Sequence, residues 1–149
     1  MNIRKAFKED MHWINAQYDA IDFVRSDFDN EFIAIVEDEN QKAGIGRLVN
    51  IVPGVKELGG MFVTDGFRNK GIARQIVHFL LDQCPPTQTI YCVAFDHLVD
   101  FYKSCGFEDT KFPKQAPKEV ISKIDWCQTQ YPHGTTLLAI NEAALLLGK

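Results

Sequence analysis

The sequence predicts an α+β fold (α/β in looser usage), in which helices flank a mixed, mostly antiparallel sheet. Apolar runs typical of buried strands alternate with turn residues in the first half of the chain. An amphipathic helix then separates two such runs, which predicts a parallel crossover within the same sheet. Neither an internal repeat nor a long linker divides the 149 residues, so we expect a single domain over 1–149.

The first half of the chain predicts one helix and four strands. Asp10 is a candidate N-cap for the helix, which shows one apolar stripe at spacings of three, four and three. The stripe consists of Met11, Ile14, Tyr18 and Ile21. The strands are expected at 2–7, 31–38, 43–52 and 55–63. Turn residues between the second and third of these strands predict a hairpin.

The second half of the chain predicts three helices and two strands. The first helix begins near residue 70, buries one broad apolar arc and ends at the pair Pro85 and Pro86. The remaining elements are a strand at 89–95, a helix that Asp96 caps and Gly106 ends, a helix at 117–131 and a strand at 134–140. This order continues the α+β pattern to the end of the chain.

Composition and charge limit the classes of partner and compartment. The chain is 46% hydrophobic and 24% charged, and its net charge is −4. This charge argues against nucleic acid as the main partner, because phosphate binding requires a concentrated basic face. No apolar run approaches the roughly 20 residues of a membrane helix, and the first residues contain no apolar segment of the secretory type. We therefore expect a cytoplasmic protein without a membrane partner.

The cysteines and histidines predict no metal site. The chain has four cysteines, none of which forms a Cys-x-x-Cys pair or has zinc-type spacing to a histidine. They are typical of scattered thiols in a reducing compartment.

The stretch R-N-K-G-I-A at 68–73 joins a predicted strand to a predicted helix. The first N–H groups of a helix have no intrahelical partners and favour an anion, as does the helix dipole. Gly71 lacks a Cβ and lets the backbone approach a bulky anion, while Arg68 and Lys70 add positive charge. A phosphate or pyrophosphate is the ligand that this chemistry favours. A solvated helix N-terminus with an ordinary glycine is the alternative.

The junction at 68–73 contains the first of two sequence motifs, and the second follows it about thirty residues later. Arg68, Gly71 and Ala73 match [Q/R]-x-x-G-x-[G/A], and the stretch F-Y-K-S-C-G-F at 101–107 matches Tyr-x-x-x-Gly-Phe. With a strand between them, they resemble the GNAT superfamily of acetyl-CoA-dependent N-acetyltransferases over most of residues 1–112. The resemblance implies a sheet splayed between its fourth and fifth strands, here 55–63 and 89–95, with acetyl-CoA in the split.

The resemblance also implies a cofactor site on the strand and the junction. Backbone N–H groups of 69–73 would hold the pyrophosphate, with cationic side chains beside it. The strand residues would pair by main chain with the pantetheine arm, and an N–H group of Phe62 or Val63 would point at the thioester oxygen. The implied cofactor-binding residues are Met61, Phe62, Val63, Arg68, Asn69, Lys70, Gly71, Ile72, Ala73 and Arg74. Gly59 and Gly60 are compatible with a bulge in this strand or with close packing of a helix.

Tyr102 and Glu57 are the candidate catalytic residues. Tyr102 would donate a proton to the departing sulfur, because a tyrosine with a pKa of about 10 is protonated at neutral pH. The alternative is a core tyrosine. Glu57 would act as the general base, as a glutamate at this place does in some relatives. The alternatives are a surface carboxylate paired with Lys56 or Arg47, and a proton path through ordered water.

The resemblance implies transfer of an acetyl group to a primary amine by direct attack. The acidic stretch at 19–31 favours a small cationic acceptor such as an amino acid or polyamine, although a solvated surface explains it too. The alternatives are a non-catalytic acyl-CoA-binding module that regulates a partner, a protein or peptide N-acetyltransferase, and an enzyme with another acyl donor. Homodimers are common in the family, and the tail at 113–149 would suit a dimer contact or a wall of the acceptor pocket.

Overall fold

The computed structural model describes residues 1–131 and 134–142. The strands of this described part are β1 (Asn2–Lys5), β2 (Glu31–Asp38), β3 (Gln41–Val52), β4 (Val55–Val63), β5 (Thr89–Phe95), β6 (Glu108–Asp109) and β7 (Thr135–Ile140). Its α-helices are α1 (Met11–Ala20), α2 (Ile72–Leu81), α3 (Val99–Ser104) and α4 (Lys118–Gln130).

The seven strands form one sheet in the order β1-β2-β3-β4-β5-β7-β6. The β1–β2, β2–β3, β5–β7 and β6–β7 pairs are antiparallel. β4 and β5 are parallel, with Val55–Glu57 paired to Thr89–Tyr91. The predicted α+β class, the hairpin and the parallel crossover are therefore confirmed. The splay between β4 and β5 stays a prediction.

The chain divides into two compact units. Unit 1 consists of Met1–Val49 and Gly59–Gln83, and unit 2 of Asn50–Leu58 and Cys84–Lys149. The boundary falls within β4, so the first part of this strand belongs to unit 2 and the rest to unit 1. The single domain over 1–149 also stays a prediction.

Unit 1 packs two helices, α1 and α2, on its part of the sheet. One core cluster consists of Ala6, Ile14, Tyr18, Ile33 and Ile45. Beside it, Gly46 on β3 contributes no side chain where a Cβ would collide with Ile76 of α2 and the Met61 sulfur. The absence of a side chain at Gly46 thus lets α2 lie close to β3 and leaves room for the Met61 side chain of β4.

Unit 2 has its own core on β4, β5, β7 and α4. Its cluster consists of Val55, Tyr91, Val120 and Ala139. The side chain of Glu142, at the end of β7, accepts hydrogen bonds from the backbone N–H groups of Lys111 and Phe112 at 2.6 and 3.3 Å. These bonds tie the segment after β6 to the unit.

The structure differs from the sequence predictions mainly at helix ends. Asp10 occupies the N-cap position of α1, but its carboxylate accepts bonds from the Phe7 N–H and from Arg4 instead of capping that helix. A 3-10 turn precedes α3, and Asp96 lies within it and accepts from Thr136 at 2.7 Å. The prediction that Asp96 caps α3 is therefore wrong. The two-residue strand β6 was not predicted, and residues 143–149 lie outside the described residues.

Candidate functional site

The loop between β4 and α2 contains three residues in the left-handed backbone region. Gly66 has φ of 90°, Asn69 of 63° and Gly71 of 77°. Asparagine tolerates this region better than most residues with a side chain, so Asn69 fits its place in the motif. Left-handed residues in a turn direct neighbouring N–H groups to one side, which forms a concave surface that suits an anion.

Gly71 stands at the N-cap of α2. A Cβ at this position would meet no atom within 4 Å, so the backbone is open to a ligand here. Ile72, Ala73 and Arg74 form the first turn of the helix, whose leading N–H groups lack intrahelical partners. The predicted junction between strand and helix is therefore present, with a backbone that can approach a bulky anion.

The cationic side chains of this loop lie at its exposed surface. An Nη atom of Arg68 lies 3.2 Å from an Asp65 carboxylate oxygen, and both side chains are mostly exposed. The Lys70 ammonium lies 5.4 Å from the centroid of the Phe67 ring. Both cations are thus held by weak, solvated contacts that an anionic ligand can displace.

The predicted cofactor residues of β4 lie beside the loop in unit 1. Met61, Phe62 and Val63 are each half-buried, and Phe62 packs against the core cluster of α1. Gly60 has φ of 62°, which interrupts the extended strand just before them. This left-handed glycine is the backbone feature of a bulge. All ten predicted cofactor residues therefore belong to one compact unit.

Tyr102 is a buried residue of α3 in unit 2. Its ring makes edge contacts with Phe101 and Phe107 at centroid distances of 5.1 and 6.0 Å. Its hydroxyl forms a hydrogen bond with the Cys92 thiol. Burial raises the pKa of Tyr102 well above its usual value, and the nearby Cys92 and Cys105 add to the rise. The packing is that of a core tyrosine, and its proton-donor role stays a prediction.

Glu57 is also buried in unit 2, with 3% of its surface exposed. A carboxylate oxygen of Glu57 lies 2.5 Å from the Lys123 ammonium of α4. The pairing with Lys56 or Arg47 that the sequence suggested is therefore wrong, as is the placement of this carboxylate on the surface. Burial of a carboxylate requires a nearby cation, and Lys123 supplies it. The general-base role of Glu57 stays a prediction.

Sequence reasoning missed one partner of each candidate catalytic residue, Cys92 beside Tyr102 and Lys123 beside Glu57. Burial raises the pKa of the Cys92 thiol, as does the charge of Glu57, while the Tyr102 hydrogen bond opposes the rise. Both Glu57 and Tyr102 thus affect the pKa of the Cys92 thiol. Lys123 carried a signal in the sequence, because it lies on the same helical face as buried Val120 and Cys127. A lysine on an apolar stripe requires an anionic partner.

The acidic stretch at 19–31 is partly neutralised within unit 1. Asp19 pairs with Arg25 at 3.1 Å on the surface. Glu31 has a side chain that is 6% exposed and lies 3.9 Å from the guanidinium of Arg47. The stretch is thus a mixture of solvated and internally paired carboxylates.

The described residues contain neither a cluster of metal ligands nor a helix that could span a membrane. Within 1–131 and 134–142, no group of three or more His, Cys, Asp or Glu residues could hold a metal ion. Over the same residues, each helix is too short or too polar to cross a membrane.

The family of this chain follows from a match to a protein-family model. The model of the acetyltransferase (GNAT) family matches residues 2–107, which is more than half of the chain. The chain belongs to the acetyltransferase (GNAT) family. This GNAT protein is an acyltransferase, as both motifs suggested. No curated protein sequence matches it.

Solved structures agree with the GNAT fold. N-acetylglutamate synthase from Neisseria gonorrhoeae, complexed with coenzyme A and N-acetyl-glutamate, is 13% identical with a TM-score of 0.70. The match covers 93% of this chain but only 34% of the synthase. A Bacillus subtilis acetyltransferase in complex with CoA is 14% identical with a TM-score of 0.63, and 93% and 97% of the two chains are covered. A spermidine N-acetyltransferase from Vibrio cholerae is 16% identical with a TM-score of 0.66, and both chains are covered completely.

Proposed function

We propose that this protein transfers an acetyl group from acetyl-CoA to the primary amine of a small molecule by direct attack. The observation that carries the proposal is the open, left-handed backbone that ends at Gly71 and leads into α2. Family membership supports the same donor, and two of the compared structures contain coenzyme A.

In this proposal the pyrophosphate of coenzyme A is bound chiefly by backbone. The N–H groups of Asn69 to Ala73 point to it, with the positive end of the α2 dipole behind them. Arg68, Lys70 and Arg74 add charge at the rim. The pantetheine arm pairs with the main chain of Met61 to Val63 as an added strand. An N–H group of this segment, with Phe62 and Val63 preferred, polarises the thioester carbonyl.

Tyr102 supplies the proton for the departing thiolate. Its raised pKa keeps the phenol protonated throughout the neutral range, which is the form that a general acid requires. Glu57 accepts a proton from the ammonium group of the acceptor, directly or through ordered water, which leaves the neutral amine that attacks the thioester. The Lys123 ammonium lies against the Glu57 carboxylate and fixes its position inside unit 2. These roles rest on the Tyr-x-x-x-Gly-Phe motif and on the place of Glu57 in β4.

The acceptor proposed is an amino acid, a polyamine or a similar small amine. Two of the structural neighbours bear names that refer to such molecules, N-acetylglutamate synthase and spermidine N-acetyltransferase. The exposed carboxylates of the 19–31 stretch would attract a cation. A single domain over 1–149, a cytoplasmic location and a homodimer compatible with the tail belong to the same proposal.

Isothermal calorimetry with coenzyme A tests the donor site, and Gly71→Ala is the informative variant. A left-handed alanine costs about 1–2 kcal/mol, and the new Cβ would point into the space proposed for the pyrophosphate. We expect coenzyme A affinity to fall about tenfold or more. Gly54→Ala is the matched control, because Gly54 is also left-handed, a Cβ there would meet no atom within 4 Å, and it lies in the turn between β3 and β4 instead of in the loop. Equal affinity in the wild type and Gly71→Ala would contradict the pyrophosphate assignment.

A panel of amines with acetyl-CoA and a thiol reagent tests the reaction. Release of free thiol with some small amines and not with others is the expected result. Tight coenzyme A binding without turnover on small amines or peptides would indicate the regulatory module instead. Turnover on peptides alone would indicate a protein N-acetyltransferase.

A further inference from the structure

The left-handed Gly60 is held by a buried tyrosine of α1. Tyr18 is fully buried, and its hydroxyl donates a hydrogen bond to the Gly60 carbonyl oxygen at 2.6 Å. The two residues lie in the same unit but are separated by 42 positions in the sequence. A short bond from a buried phenol to a strand carbonyl fixes the orientation of that peptide unit.

Arg47 of β3 holds the tyrosine in place. Only 2% of Arg47 is exposed, and its guanidinium carbon lies 4.7 Å from the Tyr18 ring centroid and 5.3 Å from that of Phe23. An Nη group of Arg47 donates to the Ser26 hydroxyl at 2.7 Å. The side chain is thus clamped between two aromatic rings and a hydroxyl, which leaves the Tyr18 ring little freedom.

The space around Gly60 confirms that this arrangement is tight. A Cβ at Gly60 would lie 2.6 Å from the Tyr18 hydroxyl oxygen and 2.9 Å from Nε of Arg47. This Nε is buried and has no hydrogen-bond partner among the described residues. A buried donor without a partner costs free energy, and the contacts of Arg47 with the Tyr18 and Phe23 rings offset this cost.

We propose that Tyr18, supported by Arg47, is a positioning residue that sets the direction of the N–H groups with which β4 polarises the thioester. The inference rests on the proposed function, because it requires Met61 to Val63 to face the acyl group. A peptide unit is planar, so fixing the Gly60 carbonyl also fixes the Met61 N–H in the same unit. Phe62 and Val63 continue β4 from that peptide unit, so its orientation sets where the strand that carries their N–H groups begins.

Aligned donors matter because they act on the charge that develops on the thioester oxygen. The contribution of such a donor falls steeply when its angle or distance is wrong. Tyr18 contributes to this alignment through Gly60, and no role in binding the pyrophosphate is assigned to it. The hydroxyl group is therefore expected to affect the chemical step and leave coenzyme A affinity unchanged.

Tyr18→Phe tests the role, since it removes the hydroxyl and retains the ring that packs on Arg47. Infrared difference spectra of bound acetyl-CoA with a ¹³C-labelled carbonyl report the polarisation of the thioester directly, without an acceptor. We expect the carbonyl band of the variant to lie closer to that of free acetyl-CoA than the wild-type band does. We also expect kcat to fall about tenfold and the Kd of coenzyme A to change less than about twofold.

Tyr91→Phe is the matched control. Tyr91 is a fully buried tyrosine of unit 2 whose hydroxyl has no hydrogen-bond partner among the described residues. Its variant should keep the wild-type band and kcat, so that loss of a buried hydroxyl alone does not explain the result. Gly60→Ala, which places a Cβ against the same hydroxyl, should shift the band in the same direction as Tyr18→Phe.

Two results would overturn the positioning role. One is a Tyr18→Phe protein with the wild-type band and kcat, and the other is a fall in coenzyme A affinity that matches the fall in kcat. A wild-type protein that binds acetyl-CoA but acetylates no amine would overturn the proposed function instead. In that case the carbonyl band still decides whether Tyr18 acts on the bound thioester.

Discussion

The loop at 64–71 and the cluster around Glu57 differ in the groups that interact with charge: the loop uses exposed backbone, and the cluster uses buried side chains. The loop lies at the surface of unit 1 and presents backbone N–H groups, with Arg68 and Lys70 in solvated contacts. The cluster lies inside unit 2 and consists of buried or half-buried side chains, with an ion pair between Glu57 and Lys123 and a contact between Tyr102 and Cys92. Its members are Glu57, Cys92, Tyr102 and Lys123.

This difference predicts which substitutions affect each region. A binding surface made of backbone depends on φ angles, so most side-chain changes in it should be tolerated. A buried polar cluster depends on each partner, because removing one leaves another without compensation. Substitutions that remove side chains should therefore have large effects in unit 2 and small ones at the loop.

The largest effect is expected for Lys123→Met in unit 2. This change leaves the Glu57 carboxylate buried without its cation, which costs about 3 kcal/mol in the free energy of unfolding. Urea denaturation at neutral pH measures it. The double variant Glu57→Gln with Lys123→Met should recover much of the loss, because no charge is then left alone.

Lys118→Met is the control for that prediction. Lys118 lies on the same helix but is exposed, so its replacement should change the free energy of unfolding by less than about 0.5 kcal/mol. Equal stability of the two single variants would show that the ion pair of Lys123 contributes nothing, and the contrast between the two regions would then fail.

The same contrast explains what the sequence could predict. The ranges of β2, β4 and β5 follow from apolar runs between turn residues, and both matching motifs are local patterns. The junction at Gly71 is also local, because the apolar stripe that begins at Ile72 predicts where the helix starts. These features need no knowledge of what lies nearby in space.

The buried cluster could not be predicted in this way. Lys123 follows Glu57 by more than sixty positions, and no local pattern pairs them. The Tyr18 bond to Gly60 has the same long-range character. Asp10 illustrates the limit at a helix end, since the nearby Arg4 and the Phe7 N–H bind its carboxylate in place of the cap. Side chains with several available partners are assigned by the tertiary structure.

An intermediate effect is expected for Tyr102→Phe, which keeps the ring and removes the proposed proton donor. We expect kcat to fall about a hundredfold, because general acid catalysis contributes on this scale. Coenzyme A affinity measured by calorimetry should stay within about twofold of the wild type. Retention of full kcat would leave Tyr102 as a core residue alone, and Tyr91→Phe again serves as the matched control.

The raised pKa of Tyr102 makes the stability of the folded protein depend on pH in the alkaline range. In the unfolded chain a tyrosine ionises near pH 10, whereas the folded protein keeps Tyr102 protonated there. The unfolded state then binds fewer protons, so its population grows as the pH rises above about 10. Thermal melts should show a steeper loss of stability above that pH for the wild type than for Tyr102→Phe.

The smallest effect is expected at the loop, for Arg68→Gln. Arg68 is exposed and already shares its charge with Asp65, so the change should weaken coenzyme A binding only about two- to fivefold at low salt. The difference should shrink as ionic strength rises toward about 0.5 M, since solvated charges are screened. Calorimetry at two salt concentrations measures both quantities, with Arg25→Gln as an exposed control away from the loop. A loss of more than about a hundredfold would mean that the guanidinium, and not the backbone, holds the anion, and the proposed difference between the two regions would be wrong.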